Sequence, residues 1–408
     1  MPTYRKNNAG LEIITARIWN WINDPSHHVI QLFLFGDSEP GKPQYYLKNL
    51  EGDVALFPPQ PQSVSAYVQN LDLVGEPNRN WVDIQIPRLK AGRMYFSIGS
   101  APDAIVPANG RPGIGNLPGN DDYETFFDFL EFDWSIAPDK PNTTLLGFNT
   151  TQVDSFSLPM GVEFTGLEPS RGEKIPRLSG FNTGKDWKPG VRQTIINNMK
   201  KAPDPWNKLV VNAPKSLREA GISEIRVLNP EKGMLVDAGN NKKLFPEDQL
   251  DDYITKVWNK YKGEDLVFAG TEEGVTLTGR VNAQNNLVFA SADRKIEITF
   301  PKPTTNTVYT SGPNPTTDSG NARRIRANLQ AGFLRSNLLV NNKLPACDAS
   351  QFYKNEPINY YAKILHEAVA AGGGFGAYAF GFDDVCSVSS YVVVRDPETV
   401  NIHLLSFS

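Results

Sequence analysis

From residue 11 to about 159, apolar residues recur at every second position in short runs, broken by clusters of Gly, Pro, Asn and Asp. Residues 29–35, 81–86, 93–98 and 125–134 carry this two-residue period. It places alternate side chains on opposite faces of a strand. Turn-rich stretches at 37–41 and 110–119 separate the runs. Short strands spaced in this way predict a barrel or sandwich. A further strand is expected over 152–159.

Beyond about residue 168 the period lengthens. Residues 191–201 and 246–261 have helical spacing, with Leu250, Ile254, Val257 and Trp258 on one stripe and charges opposite. Two more helices are expected over 322–339 and 357–371, and strands over 274–281, 286–290 and 295–300. Strand character returns at 377–380 and 390–394. The fold class is therefore mainly β with a mixed α/β part.

A length of 408 residues suggests about two domains. The 33 Gly and 31 Pro suit a turn-rich β protein. A net charge of −4 with no basic face argues against a nucleic-acid partner and leaves a neutral polymer open. No run approaches the ~18 apolar residues of a membrane helix, so no membrane partner is expected. The first ten residues lack the apolar stretch of a signal peptide. Cys347 and Cys386 allow one disulfide at most and leave the redox compartment open.

Four histidines and two cysteines make no metal cluster, and no cofactor is expected. His366-Glu367 opens like a zinc-protease motif, but Ala370 stands where the second histidine belongs. An ordinary hydrogen-bonded helical histidine is the reading there. His27-His28 falls in a turn and reads as exposed.

The chemistry-bearing residues are carboxylates. In the run 126–134 the period sets Leu130, Phe132 and Trp134 on one face and Glu131 and Asp133 on the other. Asp154 lies among apolar neighbours in the following run. Glycoside hydrolysis needs one carboxyl to protonate the leaving oxygen and a second to activate water or attack directly. Glu131 and Asp154 on adjacent strands fit that pairing. A solvated strand acid or a turn cap is the competing reading for each.

These segments resemble glycoside hydrolase family 64, the thaumatin-like β-1,3-glucanases. The resemblance rests on Leu130-Glu131-Phe132, on Val153-Asp154-Ser155-Phe156 followed by Pro159-Met160, and on Arg93 within 91–99. Later segments at 329–339, 359–367 and 376–385 match in order. It implies a thaumatin-like β-barrel or sandwich domain over 1–178, completed by returning strands in 375–408. An inserted mixed α/β domain over 179–374 would make a crescent with a wide groove.

The resemblance also implies endo-acting, inverting hydrolysis of a β-1,3-glucan such as laminarin, releasing short oligosaccharides. Glu131 would be the general acid and Asp154 the general base. Arg93, Asn149, Thr151, Gln152, Tyr378, Asp383 and Asp384 are the expected substrate-binding residues. Turn capping competes for Asn149, Thr151 and Gln152. Asn149 stands where plant thaumatin-like proteins usually carry Asp. Residues 135–142 look longer than in the family and could reshape the groove near the acid. A secreted monomer is expected, and a non-catalytic glucan-binding protein is the alternative.

Overall fold

The computed structural model describes residues 4–406 apart from 23–28, 40–43, 72–79, 103, 108–113, 115–122, 171, 184–189, 220, 240–241, 311 and 387. His27 and His28 thus lie outside the described residues. The alternating runs of the first half form β1 (Glu12–Asn20), β2 (Ile30–Asp37), β3 (Trp81–Pro87), β4 (Lys90–Ile98), β5 (Phe126–Ala137) and β6 (Lys140–Asn149). After β7 (Ser155–Phe156), β8 (Met160–Leu167) and β9 (Lys174–Gly180) pair with each other.

The second half begins with α1 (Val191–Lys201), β10 (Val210–Asn212), β11 (Glu224–Leu228) and α2 (Pro230–Leu235). Then come α3 (Asp251–Gly263), β12 (Leu266–Phe268), β13 (Leu277–Val281), β14 (Asn286–Ala290) and β15 (Glu297–Pro301). The chain continues through α4 (Gly320–Leu334), β16 (Lys343–Leu344) and α5 (Tyr360–Ala371) to the long β17 (Val392–Leu404). The helix stripe on α3 buries Ile254, Val257 and Trp258, as its spacing requires.

β17 organises the main sheet. Its first residues pair with β6, and its last ones lie between β1, which is parallel to it, and β8. The order β1-β17-β6-β5-β4-β2 therefore places the C-terminal strand inside a sheet made of N-terminal strands. Thirteen strands join this sheet, and its outer strands are not paired to each other among the described residues. It is thus an open sheet where a closed barrel was one expectation. One apolar core runs from Trp134 and Phe148 of the sheet into Ile195, Val227 and Leu365 of the second half.

Two other expectations change. Of 152–159 only Ser155–Phe156 is a strand, and it pairs with β11 rather than with β5. Residues 377–380 hold one isolated bridge at Tyr378, and Phe382 has positive φ in the turn that follows. The strand expected at 377–380 is therefore a hook.

The two faces of β5 differ. Phe126, Leu130, Phe132 and Trp134 enter the main core, whereas Phe127 and Phe129 join a second cluster with Phe33, Phe35 and Tyr95. Farther along that second face apolar side chains give way to the half-buried Glu131 and Asp133. The site therefore begins where the second cluster ends.

Gly92 pairs with Phe132, and a β-carbon on Gly92 would stand 2.3 Å from the Phe132 ring. Gly92→Ala should cost about 1–3 kcal/mol by overpacking, measured as a lowered denaturation midpoint. An unchanged midpoint would show that the ring is not held there.

Candidate active site

Strand register alone assembles the centre of the site. Glu131 of β5 is paired with Arg93 of β4 on one side and Asn149 of β6 on the other. Side chains on one rung of a sheet lie about 5 Å apart on the same face. Arg93 Nη2 is 3.1 Å from Glu131 Oε1, and Asn149 Nδ2 donates to Glu131 Oε2 at 3.4 Å. Each Glu131 oxygen thus has its own partner. The side chain keeps 30% of its surface exposed, so it remains reachable from solvent.

Asp154 arrives from a different construction. It sits in the bend before β7, and its carbonyl accepts the backbone N–H of Asn229. The pairing of β7 with β11 leads directly into α2, where the Asn229 side chain accepts from Glu231 N and Pro230 takes the first helical position. Lys232 of this helix places Nζ 3.0 Å from Asp154 Oδ1. Burial works against the Lys232 charge, but Asp154 and Glu231 outweigh it and hold the ammonium above its ordinary range. Burial, opposed by Lys232 and reinforced by Asp154, raises Glu231.

The two halves of the site share one field. Burial opposes the Arg93 charge, while Tyr95, Glu131 and Asp154 overcome it and keep the guanidinium above its usual range. Arg93 also donates from Nη1 to the Tyr95 hydroxyl at 3.3 Å. Two carboxylates face two cations here, which is an arrangement that suits general acid–base chemistry.

The other expected site residues divide between rim and interior. Tyr378 is half-buried and donates to Asp384 Oδ1 at 3.2 Å, with Asp384 exposed. Burial and Asp384 raise the Tyr378 phenol, so it stays a neutral donor. Thr151, Gln152 and Asp383 are buried and offer a sugar no surface, contrary to the expectation of direct contact. Gln152 instead stitches the hook to the sheet: its N–H donates to Tyr378 O and its Oε1 accepts Tyr378 N–H. Thr151 forms the bridge beside it.

Asp383 anchors the far side of the hook. It lies between Arg335 Nη2 at 2.9 Å and His366 Nε2 at 2.8 Å, and it accepts Ala379 N–H. Burial alone would raise this carboxyl; His366 and Arg335 hold it below the usual range. His366 also meets the Tyr353 hydroxyl at 3.0 Å, so both of its ring nitrogens are engaged. Among the described residues no group of three or more His, Cys, Asp or Glu could hold a metal ion. Cys347 and Cys386 form a disulfide that ties the hook to the segment after β16.

Sequence reading missed Lys232 and Tyr391. Lys232 carried no local signal, because only the β7–β11 pairing brings it to Asp154. Tyr391, 46% exposed, lies over Gly147. It joins a hollow of about 210 Å³ beside Glu131 to a groove of about 1500 Å³, which Asp384 and the exposed Phe375 also line. Residues 135–142 form the tip of the β5–β6 hairpin, with Ala137 paired to Lys140. None of these residues lines the hollow beside Glu131 or the groove.

A family model described as beta-1,3-glucanase, glycoside hydrolase family 64, matches residues 14–404. Glucan endo-1,3-beta-glucosidases of Cellulosimicrobium cellulans and of Arthrobacter sp. (strain YCWD3) are each 29% identical over 337 residues. The match covers 80% of this chain and 54% of each relative, so the chain spans about half the length of these curated relatives. A laminaripentaose-producing β-1,3-glucanase, solved with laminaritetraose, superposes with a TM-score of 0.78 at 26% identity. That likeness covers 97% of this chain and 99% of the other. A β-1,3-glucanase domain from Clostridium beijerinckii shares the fold at a TM-score of 0.71 and 21% identity, covering 99% and 100%. With the family model matched from β1 to the end of β17, the chain belongs to glycoside hydrolase family 64, the β-1,3-glucanase family.

Proposed function

We propose that this chain hydrolyses β-1,3-glucan by endo-acting, single-displacement chemistry with inversion at the anomeric carbon. One observation carries the reading: Glu131 and Asp154 are both half-buried carboxylates, each paired with one cation, Arg93 at 3.1 Å and Lys232 at 3.0 Å. A groove of about 1500 Å³ adjoins the hollow beside Glu131 at Tyr391, which leaves room for a polymer next to the acid. Family membership and the relatives' names support β-1,3-glucan as the substrate.

In this reaction Glu131 gives a proton to the glycosidic oxygen as its bond to C1 breaks. A water attacks C1 from the opposite face, and Asp154 takes its proton. An inverting pair stands roughly 6.5–9.5 Å apart to leave room for that water. Glu131 must first take up a proton, so its pairing with Arg93 loosens as substrate enters. Asn149 then aims the acid. Lys232 compensates the charge of Asp154 and fixes its oxygens. Tyr378 and Asp384 bind sugar hydroxyls at the rim, and Tyr391 and Phe375 provide faces on which sugar rings stack.

We read the sheet as thaumatin-like on the motifs around Arg93, Glu131 and Asp154. In that reading residues 1–178 and 375–408 form one unit and 179–374 an inserted one, with the groove between them.

Glu131→Gln and Asp154→Asn should each lower laminarin turnover about 10²–10⁴-fold while leaving the thermal midpoint near that of the parent. Full turnover in either folded variant would end the assignment. Binding of laminarin without new reducing ends in the parent protein would instead make the chain a glucan-binding protein. Lys232→Met leaves a half-buried carboxylate without its cation and should lower kcat about tenfold, with Lys232→Arg closer to the parent. Equal kcat for Lys232→Met and the parent would remove Lys232 from the site. β-1,4-linked glucan should yield no reducing ends under conditions that degrade laminarin.

A further inference from the structure

Along the core-facing side of β5 the buried residues are Phe126, Asp128, Leu130, Phe132 and Trp134. Asp128 is the one acid in an apolar row, and it is 2% exposed. A carboxylate so placed costs several kcal/mol of desolvation unless other groups compensate it. A strand that served packing alone would carry an apolar residue there, so the bonds Asp128 makes are informative.

Two of its three bonds reach the segment that follows Asp154. Asp128 Oδ2 accepts the backbone N–H groups of Ser157 at 2.8 Å and Leu158 at 2.9 Å. Its Oδ1 accepts the N–H of Phe129 at 2.9 Å, which fixes the carboxylate plane. Buried Arg192 of α1 holds the other side of the same peptide, donating from Nε to Ser157 O at 2.6 Å. The segment needs these side-chain bonds because no strand ladder joins it to β5. β5 pairs with β4 and β6, while β7 pairs with β11.

The spacing converts this cross-link into a ruler. Asp128 and Glu131 are three residues apart on one rigid strand, about 10 Å at ~3.3 Å per residue. Asp154 and Ser157 are likewise three residues apart, with the Asp154 carbonyl pinned by Asn229. We propose that Asp128 is a positioning residue for the hydrolytic reaction, setting where Asp154 stands relative to Glu131 through its grip on Ser157 and Leu158. This rests on the proposed roles of Glu131 and Asp154. Burial pushes the Asp128 carboxyl up to about 7, against the pull of the Leu158, Ser157 and Phe129 N–H groups and of Arg226. Asp128 stays out of the reaction itself, since it is enclosed by the core and touches no part of the groove.

The test uses two substrates and two variants. Laminarin needs both an acid and a base, whereas a β-laminarioligosaccharyl fluoride has a leaving group that departs without protonation. Asp128→Asn keeps the shape and one acceptor oxygen; Asp128→Ala removes the grip and serves if it folds. For folded Asp128→Asn, kcat on laminarin should fall at least tenfold, with KM within about twofold of the parent. The deficit should persist on the fluoride, as in Asp154→Asn, whereas Glu131→Gln should recover on it. Unchanged kcat in folded Asp128→Asn would overturn the proposal. A deficit that vanishes on the fluoride would overturn it too, by assigning the effect to Glu131. A parent protein that cleaves neither substrate would sink the functional reading itself, a result distinct from both.

Discussion

Glu131 and Asp154 are half-buried acids at the rim of an apolar core, and a carboxylate there is costly without compensation. The protein answers with separate cations from separate parts of the chain. Arg93 reaches Glu131 across the β4–β5 ladder, and Lys232 reaches Asp154 from a helix nearly eighty residues farther on. Asp154 as well as Glu131 favours the Arg93 charge, which links the two pairs electrostatically.

The fold supplies that stillness in layers. The rung Arg93–Glu131–Asn149 is rigid because it is a sheet rung, and β17 braces β6 from the other side. Asp154 is not on that sheet. Its bend is held by backbone pairing to β11 and by buried charged groups that grip the next turn of chain. The hook at 377–386 closes the rim, fastened by Gln152, Asp383 and the disulfide. Asp128, Gln152 and Asp383 each make several hydrogen bonds here, and those bonds fix the place of the chain they hold.

Much of this was legible in the sequence, and the reason is periodicity. The two-residue alternation of β5 sorted Trp134 into the core and Glu131 onto the opposite face, where both are found. The stripe on α3 was equally plain. Asp128 escaped notice because a single acid in an apolar row is silent about its partners, which lie about thirty residues away. Lys232 escaped because it depends on a two-residue strand, β7, too short to show a period. The hook misled for the opposite reason: residues 377–380 read as strand, but one bridge and a positive φ at Phe382 make it a turn. Thr151, Gln152 and Asp383 had the right chemistry for sugars, and only burial reassigns them to the scaffold.

The account stands on Asp154 activating water rather than attacking the sugar, and proton NMR of the first products separates the two. Laminarin is mixed with the protein and the anomeric signals of new reducing ends are followed before mutarotation equalises them. An early excess of the α-anomer from this β-linked polymer is the expected result. An early excess of the β-anomer would mean two displacements through a covalent intermediate, and would contradict the role given to Asp154.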